Sequence, residues 1–453
     1  MNLFFKTGCF LCGVLLLTPL SARGNPGPTS TEGTEVVVLN LEESIQWALE
    51  HNQELRAKDY DISIAQEKFN ETKIIGYPVV EYEYNLAPVP KDLNNATDSF
   101  FSGDLTVFNK FKLGVGTPLT TFGKVQTGKS LAMEGVSAER FRKEQKKTEI
   151  IFKVKQLYNG VLLAYELDRI LETTRKELDK EVQRREDSED GGDPAELLKM
   201  KLLLFEVERR GGESKKKKKL AFGALQTLLG LAPQIRLELK DEKLRPVDYS
   251  LKDFKSYQNE SRLHRPEEQL LNVGLQAKQK MLALEKRNMT PNLGVGAFFE
   301  LGRAPNVAGV SATDDFNDPF NFTRAGVGLQ LKGSFDFHKQ FSKMKQAKGE
   351  LQKMEIQRDL GRAGMDLELR QGYLEVEQLK EDVERSDEAG RLSRQLLFLT
   401  QSNFDLGLAE PKDLVDAFES LLMTRGKYFE SVFNYNIAVA KLEQLLGEIP
   451  AVH

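Results

Sequence analysis

The chain repeats one pattern of residues, and this duplication constrains the fold more than any other feature of the sequence. His51 precedes Pro78 by 27 residues, and His264 precedes Pro291 by the same 27 residues. An alternating stretch begins at each proline, and a long proline-free segment follows. Self-similarity at a fixed spacing indicates a repeated supersecondary unit. We therefore predict two copies of one unit, each built from a helix, two strands and two long helices.

Both copies also share a break and an ending. The long segments are interrupted at Pro194 and Pro411, each preceded by an acidic residue, as is typical of a helix start. Leu-x-x-Leu-Leu-Gly motifs end at Gly230 and Gly447. The predicted layout is a signal peptide at 1–24, a flexible segment at 25–40, a first repeat at 41–230, an irregular connection at 231–262, a second repeat at 263–447 and a tail at 448–453.

The N-terminus has the pattern of a secretory signal. Lys6 supplies a positive charge, Thr7–Leu20 is apolar but short for a bilayer span, and cleavage is predicted after Gly24. An uncleaved anchor is the alternative. Because Cys9 and Cys12 both lie in this segment, the mature chain is predicted to contain no disulfide, thiolate metal site or cysteine nucleophile.

The bulk composition narrows the class of protein. The 453 residues carry a formal charge of −4 and are 40% hydrophobic and 29% charged. This chain is too polar for a helical membrane protein, and its charge balance argues against nucleic-acid binding as the main task. No later segment offers 18 consecutive apolar residues. An exported soluble protein and a β-barrel both remain open.

Four segments alternate between apolar and small or polar residues. They are predicted as strands at about 77–88, 106–118, 292–302 and 322–334. Strands of about ten residues with one apolar face are typical of membrane barrels. A pair of half-buried hairpins on a soluble domain is the alternative. The long loops favour the membrane interpretation, as do aromatic residues at the strand ends, namely Tyr77, Tyr82, Phe298 and Phe322.

The proline-free segments predict two very long helices, Phe122–Glu186 and Lys339–Phe404. At about 1.5 Å per residue each would reach on the order of 100 Å. The second helix carries two apolar stripes on roughly opposite sides. One stripe consists of Ile356, Leu360, Ala363, Leu367 and Leu374, and the other of Leu369, Tyr373, Val376 and Val383. Such a helix has a neighbour on each side, as in a wall.

Four strands cannot close a barrel, and an open edge in lipid leaves backbone groups without hydrogen bonds. Three copies would supply 12 strands, which is within the range of closed membrane barrels. The predicted fold class is α+β: a long helical barrel continued by a transmembrane β-barrel, with four strands per protomer, in a trimer.

The whole mature chain resembles the TolC-like outer-membrane efflux proteins, the outer membrane factors. The resemblance rests on the duplicated plan, the strand starts at Pro78 and Pro291, the Leu-x-x-Leu-Leu-Gly endings, and the segment Lys412–Ala417. It implies a homotrimeric duct in the outer membrane with its helical portion in the periplasm. It also implies a periplasmic adaptor and an inner-membrane transporter as partners, in efflux or type I secretion. A soluble periplasmic coiled-coil scaffold or adaptor without a pore is the alternative function.

The resemblance also suggests site residues. Asp413 and Asp416 are three residues apart on one helix face, and the matching aspartates of the family form rings at the tunnel entrance. Two solvated acids on a charged helix are the alternative. The first repeat has Glu196 and Lys199 at the equivalent places, and Ala409 lies near the position where family members often carry an arginine.

Residues at the two helix turns are candidates for contact with an adaptor, although they could equally be simple turn residues. They are Gly191, Gly192, Asp193, Leu406, Gly407 and Leu408.

Other features have weaker functional interpretations. Lys215–Lys219 could meet a phosphate surface or a nucleic acid, but a solvated helix face near the middle of the rod is favoured. His51 and His264 have no His or Cys partner at ligand spacing, so no metal site is predicted. Since no catalytic motif occurs, we predict no active site, no enzyme activity and no cofactor.

Overall fold

A computed structural model describes residues 36–187, 194–232, 234–307, 319–333, 336–406 and 408–447. The helices are α1 (Leu41–His51), α2 (Gln53–Ile74), α3 (Ala96–Ser102), α4 (Lys124–Glu186), α5 (Pro194–Leu229), α6 (Phe254–His264), α7 (Pro266–Arg287), α8 (Phe337–Asp405) and α9 (Pro411–Leu446). The strands are β1 (Val36–Leu39), β2 (Val79–Pro90), β3 (Leu105–Thr120), β4 (Arg236–Leu239), β5 (Asn292–Arg303) and β6 (Phe322–Lys332).

The order of elements repeats in the two halves. Two helices precede two strands, and a long helix and a returning helix follow them; α3 lies between the two strands of the first half. The long helices α4 and α8 contain 63 and 69 residues. At about 1.5 Å per residue they measure about 95 Å and 104 Å, so each runs through most of the length of the molecule.

The single helix predicted at the start of the first repeat is in fact two helices, α1 and α2, broken at Asn52. The backbone of Asn52 is extended, and its side-chain oxygen accepts hydrogen bonds from the amides of Glu54 (2.9 Å) and Leu55 (3.3 Å). Its side-chain nitrogen donates to the carbonyl of Leu228 (2.8 Å). A buried asparagine that caps α2 and also binds α5 outweighs the continuous apolar periodicity across the break.

In each repeat, the glycine that follows the returning helix lies against the histidine that ends the first helix of the same repeat. Gly230 and Gly447 end α5 and α9 with positive φ angles of 70° and 75°. A Cβ atom on Gly230 would lie 2.9 Å from the carbonyl oxygen of His51, and one on Gly447 would lie 2.6 Å from that of His264. Only glycine permits both this conformation and this approach. The repeated spacing therefore marks where each returning helix reaches the break between the two leading helices.

The side chain of His51 has a structural explanation. The ring of His51 stacks on Trp47 with centroids 4.5 Å apart, and its Nδ1 atom lies 3.1 Å from the Trp47 carbonyl oxygen. Within the part of the chain that the structure describes, no group of three or more His, Cys, Asp or Glu residues could hold a metal ion.

The helices form a wall four helices wide. Next to the larger sheet, α4 packs between α2 and α7, and α7 packs on α8. Away from that sheet, α4 packs between α5 and α9, and α9 packs on α8. The largest buried cluster lies where the two arrangements meet, at a level we call the waist; it includes Ile150, Val154, Val432 and Leu442. The two long helices thus join a part near the sheet to a part that ends at the helix turns.

The connecting segment predicted as irregular contains β4 and most of α6. β4 pairs in parallel with β1, which forms a separate two-stranded sheet at the waist. Residues 240–253, which we call the strap, then cross the wall. The Tyr158 hydroxyl donates to Asp241 Oδ2 (2.5 Å), and the amide of Val247 donates to Asn436 Oδ1 (3.0 Å). Because Tyr158 belongs to α4 and Asn436 to α9, the strap ties these two helices together.

Replacing Asn52 with Ala should lower the thermal unfolding midpoint, because it removes the α2 cap and leaves the Leu228 carbonyl without its donor. The expected loss in the free energy of unfolding is about 2 kcal/mol. Gln53→Ala, at the exposed neighbouring position, is the matched control. Equal midpoints for the two variants would contradict this role of Asn52.

The strap should also weaken in alkali. Burial, followed by the hydrogen bond to Asp241, raises the pKa of Tyr158. A raised folded-state pKa gives stability that is complete below the unfolded value of about 10 and declines as the pH rises further. The stability difference between the native protein and Tyr158→Phe should therefore shrink between about pH 9 and pH 11. Thermal unfolding across this range measures it, and a constant difference would refute the assignment.

Candidate channel wall and entrance

The larger sheet presents an uncovered apolar face. Its order is β2–β3–β5–β6, and all three pairings are antiparallel. One row of directly opposed residues across the strands is Val80, Val115, Ala297 and Val327. Tyr82, Tyr84, Leu86, Leu329 and Leu331 extend the same face and are exposed in the single chain. So large an exposed apolar surface marks a site of contact with lipid or protein.

The other face of the sheet is built from glycines and charges. Glu83, Lys112, Glu300 and Arg324 oppose one another in a row of alternating sign across all four strands. Lys112 Nζ lies 3.5 Å from Glu300 Oε1. Gly116, Gly296 and Gly328 form another row on the same face. Opposite charges across a strand pair stabilise the register, so this face is suited to water.

The first and last strands of this sheet each have only one neighbour in the described chain. β2 pairs only with β3, and β6 pairs only with β5. The outer edges of β2 and β6 therefore present rows of N–H and C=O groups that are free to pair with another strand.

The helical wall has open lateral edges as well. On α8, Leu369 is 1% exposed and Val376 is fully buried, so that stripe packs within the chain. The opposite stripe is uncovered: Leu360 and Leu367 are each 68% exposed, and Ile356 and Leu374 are also exposed. Of the two stripes predicted from the sequence, one is therefore packed within the chain and the other is exposed.

A second set of exposed apolar residues lies on α2 and α5, at the other edge of the wall. They are Tyr60, Ile64 and Ile74 on α2, and Leu198, Leu202 and Phe205 on α5. α2 and α5 occupy the end of the helix order opposite to α8. The wall therefore carries one apolar edge on each side.

The two aspartates predicted at the entrance differ in their contacts. Asp413 and Asp416 are both exposed, in the first turns of α9. Asp413 Oδ2 accepts a hydrogen bond from the amide of Glu410 (3.1 Å), so this carboxylate caps the helix. Asp416 makes no hydrogen bond or ion pair with the described residues. Acidic residues interact favourably with the dipole at a helix N-terminus, so both positions suit the start of α9.

The turn between α8 and α9 projects two leucines. Leu406 and Leu408 are 72% and 76% exposed, while their amides donate to the carbonyls of Ser402 (3.2 Å) and Asn403 (2.8 Å). Of the other sites predicted from the sequence, Lys199 is exposed on α5 and Ala409 is half-buried. Four predicted contact residues lie outside the described residues, namely Gly191, Gly192, Asp193 and Gly407, as does the side chain of Glu196.

Sequence reasoning missed the charged row of the sheet and a cleft beside Lys215–Lys219. The row becomes visible only when the strand register is known. The cleft depends on β4 and the strap, which are distant in sequence from the lysines. Neither the charged row nor the cleft produces a recognisable pattern in the local sequence.

Among the described helices, none combines the length and the apolar character that crossing a membrane requires.

Solved structures share this fold over nearly the whole chain. CusC, described in terms of transmembrane channel formation, is 15% identical with a TM-score of 0.74, covering 93% of this chain and 96% of that one. The outer-membrane channel OprN is 16% identical with a TM-score of 0.75, covering 90% and 89%. The Neisseria gonorrhoeae outer-membrane channel MtrE, in its open state, is 16% identical with a TM-score of 0.73, covering 90% and 89%.

The chain has the fold of these outer-membrane channels. The resemblance inferred from the repeated sequence pattern is confirmed at the level of the fold. No protein-family model matches the chain, and no curated protein matches its sequence.

Proposed function

We propose that three copies of this chain form an outer-membrane duct that conducts solutes passively from an inner-membrane pump. The observation that carries the proposal is the pair of open edges. In the described part of the chain, each edge strand of the sheet has one side without a partner strand, and the helical wall has two exposed apolar edges. Each edge of one copy is suited to the opposite edge of the next copy, which is the geometry of a closed ring.

Closure explains both faces of the sheet. Three sheets of four strands give 12 strands, and β6 of one copy would pair with β2 of the next. The apolar face then contacts outer-membrane lipid, and the face with glycines and the charged row lines the water-filled lumen. In lipid every backbone polar group needs a partner within the protein, so a barrel of this kind cannot retain open edges.

Closure also covers the exposed stripes of the helices. The Leu360 and Leu367 stripe of α8 would pack on α2 and α5 of the next copy. The helical barrel would then extend about 100 Å from the membrane into the periplasm. The fold shared with CusC, OprN and MtrE supports this arrangement.

The helix turns would form the periplasmic entrance. Three copies of Asp413 and Asp416 place six carboxylates at that end, and such a ring attracts cations and repels anions. Leu406 and Leu408, with Gly191, Gly192, Asp193 and Gly407, would contact a periplasmic adaptor. The adaptor and an inner-membrane transporter would determine whether the cargo is a drug, a metal or a secreted protein.

Extraction and conductance test the proposal directly. The mature chain should require detergent for extraction, have the mass of a trimer by light scattering, and form ion-conducting pores in planar bilayers. A water-soluble monomer without pores would overturn the duct and favour a periplasmic scaffold.

Leu367→Glu should prevent trimer formation, because it places a charge in the stripe that is buried between copies. Light scattering in detergent should show mainly monomer. Gln357→Glu adds the same charge to an exposed position of α8 about 80° around the helix, and it should leave the trimer intact. A trimer that survives Leu367→Glu would show that this stripe is not the contact between copies.

Asp413→Asn combined with Asp416→Asn should reduce the preference for cations, because six negative charges leave the entrance. The ratio of cation to anion permeability in a salt gradient measures the change. Glu430→Gln is the control for loss of an exposed acid, because Glu430 lies 14 residues, or about 21 Å, beyond Asp416 on α9. An unchanged ratio in the double variant would argue against the ring.

A further inference from the structure

A cleft of about 970 Å³ opens at the waist between α4, α5 and β4. The lysine run borders it, but the five lysines are not equivalent. Lys215, Lys218 and Lys219 line the cleft. Lys217 lines a separate groove beside α9, and Lys216 lines neither space. The helix thus directs three of its five consecutive cations into one opening.

Ion pairs neutralise part of this charge, but two lysines keep theirs. Arg236 on the opposite wall lies 3.3 Å from Glu238, and Arg169 lies 3.1 Å from Glu166. Lys218 Nζ lies 3.3 Å from Asp168 Oδ2. Lys215 and Lys219 are exposed and form no ion pair with the described residues.

The hydrogen bond from Tyr158 engages Asp241, another carboxylate that lines the cleft. Glu242 lines the cleft as well, so five cationic side chains and three carboxylates border it. The lining thus has an excess of two positive charges and is suited to a ligand that carries negative charge.

An aromatic surface lies beside these cations. The rings of Tyr165 and Phe222 meet edge to face with centroids 6.0 Å apart. Lys218 Nζ sits 4.2 Å from the centre of the Tyr165 ring. Burial raises the pKa of Tyr165, so its hydroxyl stays protonated and able to donate. The two rings, the ammonium groups and the hydroxyl together offer the apolar and polar contacts that a sugar ring bearing acidic substituents requires.

The position of the cleft limits what can reach it. β1, β4 and the strap lie against the helical wall as an additional layer at the waist. In a closed duct this layer must lie on the outside, since otherwise it would fill the lumen. The 22 residues of α2 separate the waist from the sheet by about 33 Å. Membrane headgroups are therefore out of reach of the cleft.

We propose that this basic cleft binds an anionic saccharide, a carbohydrate bearing carboxylate or phosphate groups, on the outer surface of the helical barrel. The outer location rests on the proposed function, whereas the binding itself does not. The cleft would hold the duct to an acidic polymer in its surroundings and would take no part in conduction.

Binding to the full-length protein purified in detergent tests the proposal. The probes are an oligogalacturonate for carboxylate groups, glucose 6-phosphate for phosphate groups, and neutral dextran oligosaccharide as the control. At least one acidic probe should bind and dextran should not, and the probe that binds identifies the acidic group. Absence of binding by both acidic probes would overturn the proposal.

Matched lysine variants separate the cleft from general charge attraction. Lys215→Gln with Lys219→Gln should weaken binding about tenfold or more, because two charge-assisted contacts are lost. Lys216→Gln with Lys217→Gln removes the same charge from the same helix, but outside the cleft, and should change affinity by less than about twofold. Equal losses in the two double variants would refute a defined site.

Two further measurements test the ligand class and the location. Tyr165→Leu should weaken binding of the acidic saccharide but leave the weaker binding of inorganic phosphate unchanged; an equal loss for both would exclude recognition of the sugar.

Lys215→Gln with Lys219→Gln should leave pore conductance and ion preference unchanged. Altered ion preference would place the cleft in the lumen and overturn its outer location, whereas absence of pores in every variant would fault the proposed function instead.

Discussion

The unpaired edges of the four-stranded sheet are the constraint on which the rest of the architecture depends. β2 and β6 are 12 and 11 residues long, and each leaves one side of its backbone without a strand partner among the described residues. In hydrocarbon each unsatisfied group costs several kcal/mol, whereas a whole protein is stable by only about 5–15 kcal/mol. A single copy could not bear that cost in a membrane. In the proposed duct, pairing between copies would therefore be part of folding, and burial of the exposed stripes of α8, α2 and α5 would meet the same requirement in the helices.

The waist shows how a duplicated chain builds a continuous wall. α5 ends at Gly230 against the carbonyl of His51, and α9 ends at Gly447 against that of His264. Each returning helix thus ends at the level where the second leading helix of its repeat begins. The wall therefore stays four helices wide, although different helices form it on the two sides of the waist. Asn52 binds Leu228, and the Ser261 hydroxyl donates to the Leu445 carbonyl (3.0 Å), so each junction has its own hydrogen bond. The strap then joins α4 to α9 at this level.

Local periodicity explains what the sequence could predict. Alternation of apolar residues placed four strands, and the absence of proline placed α4 and α8 to within a few residues of their ends. The break at Asn52 was missed because a capping side chain competes with apolar periodicity, and its outcome depends on a contact with Leu228 far along the chain. β4 was missed because its four residues pair only with β1, a partner about 200 residues away. The aspartates were found by resemblance, but the capping contact of Asp413 required coordinates.

The net charge of −4 conceals three separate arrangements of charge. The sheet carries a row of alternating sign, the turn of α9 carries exposed acids, and the waist carries a basic cleft. About 33 Å of helix separates the waist from the sheet, and the 21 residues from Pro194 to Lys215 separate it from the turns by a similar distance. Since charges are screened within about 8–10 Å at physiological salt, none of these regions perturbs the others appreciably. In the proposed duct, substitutions at the waist would therefore leave the electrostatics of the lumen unchanged.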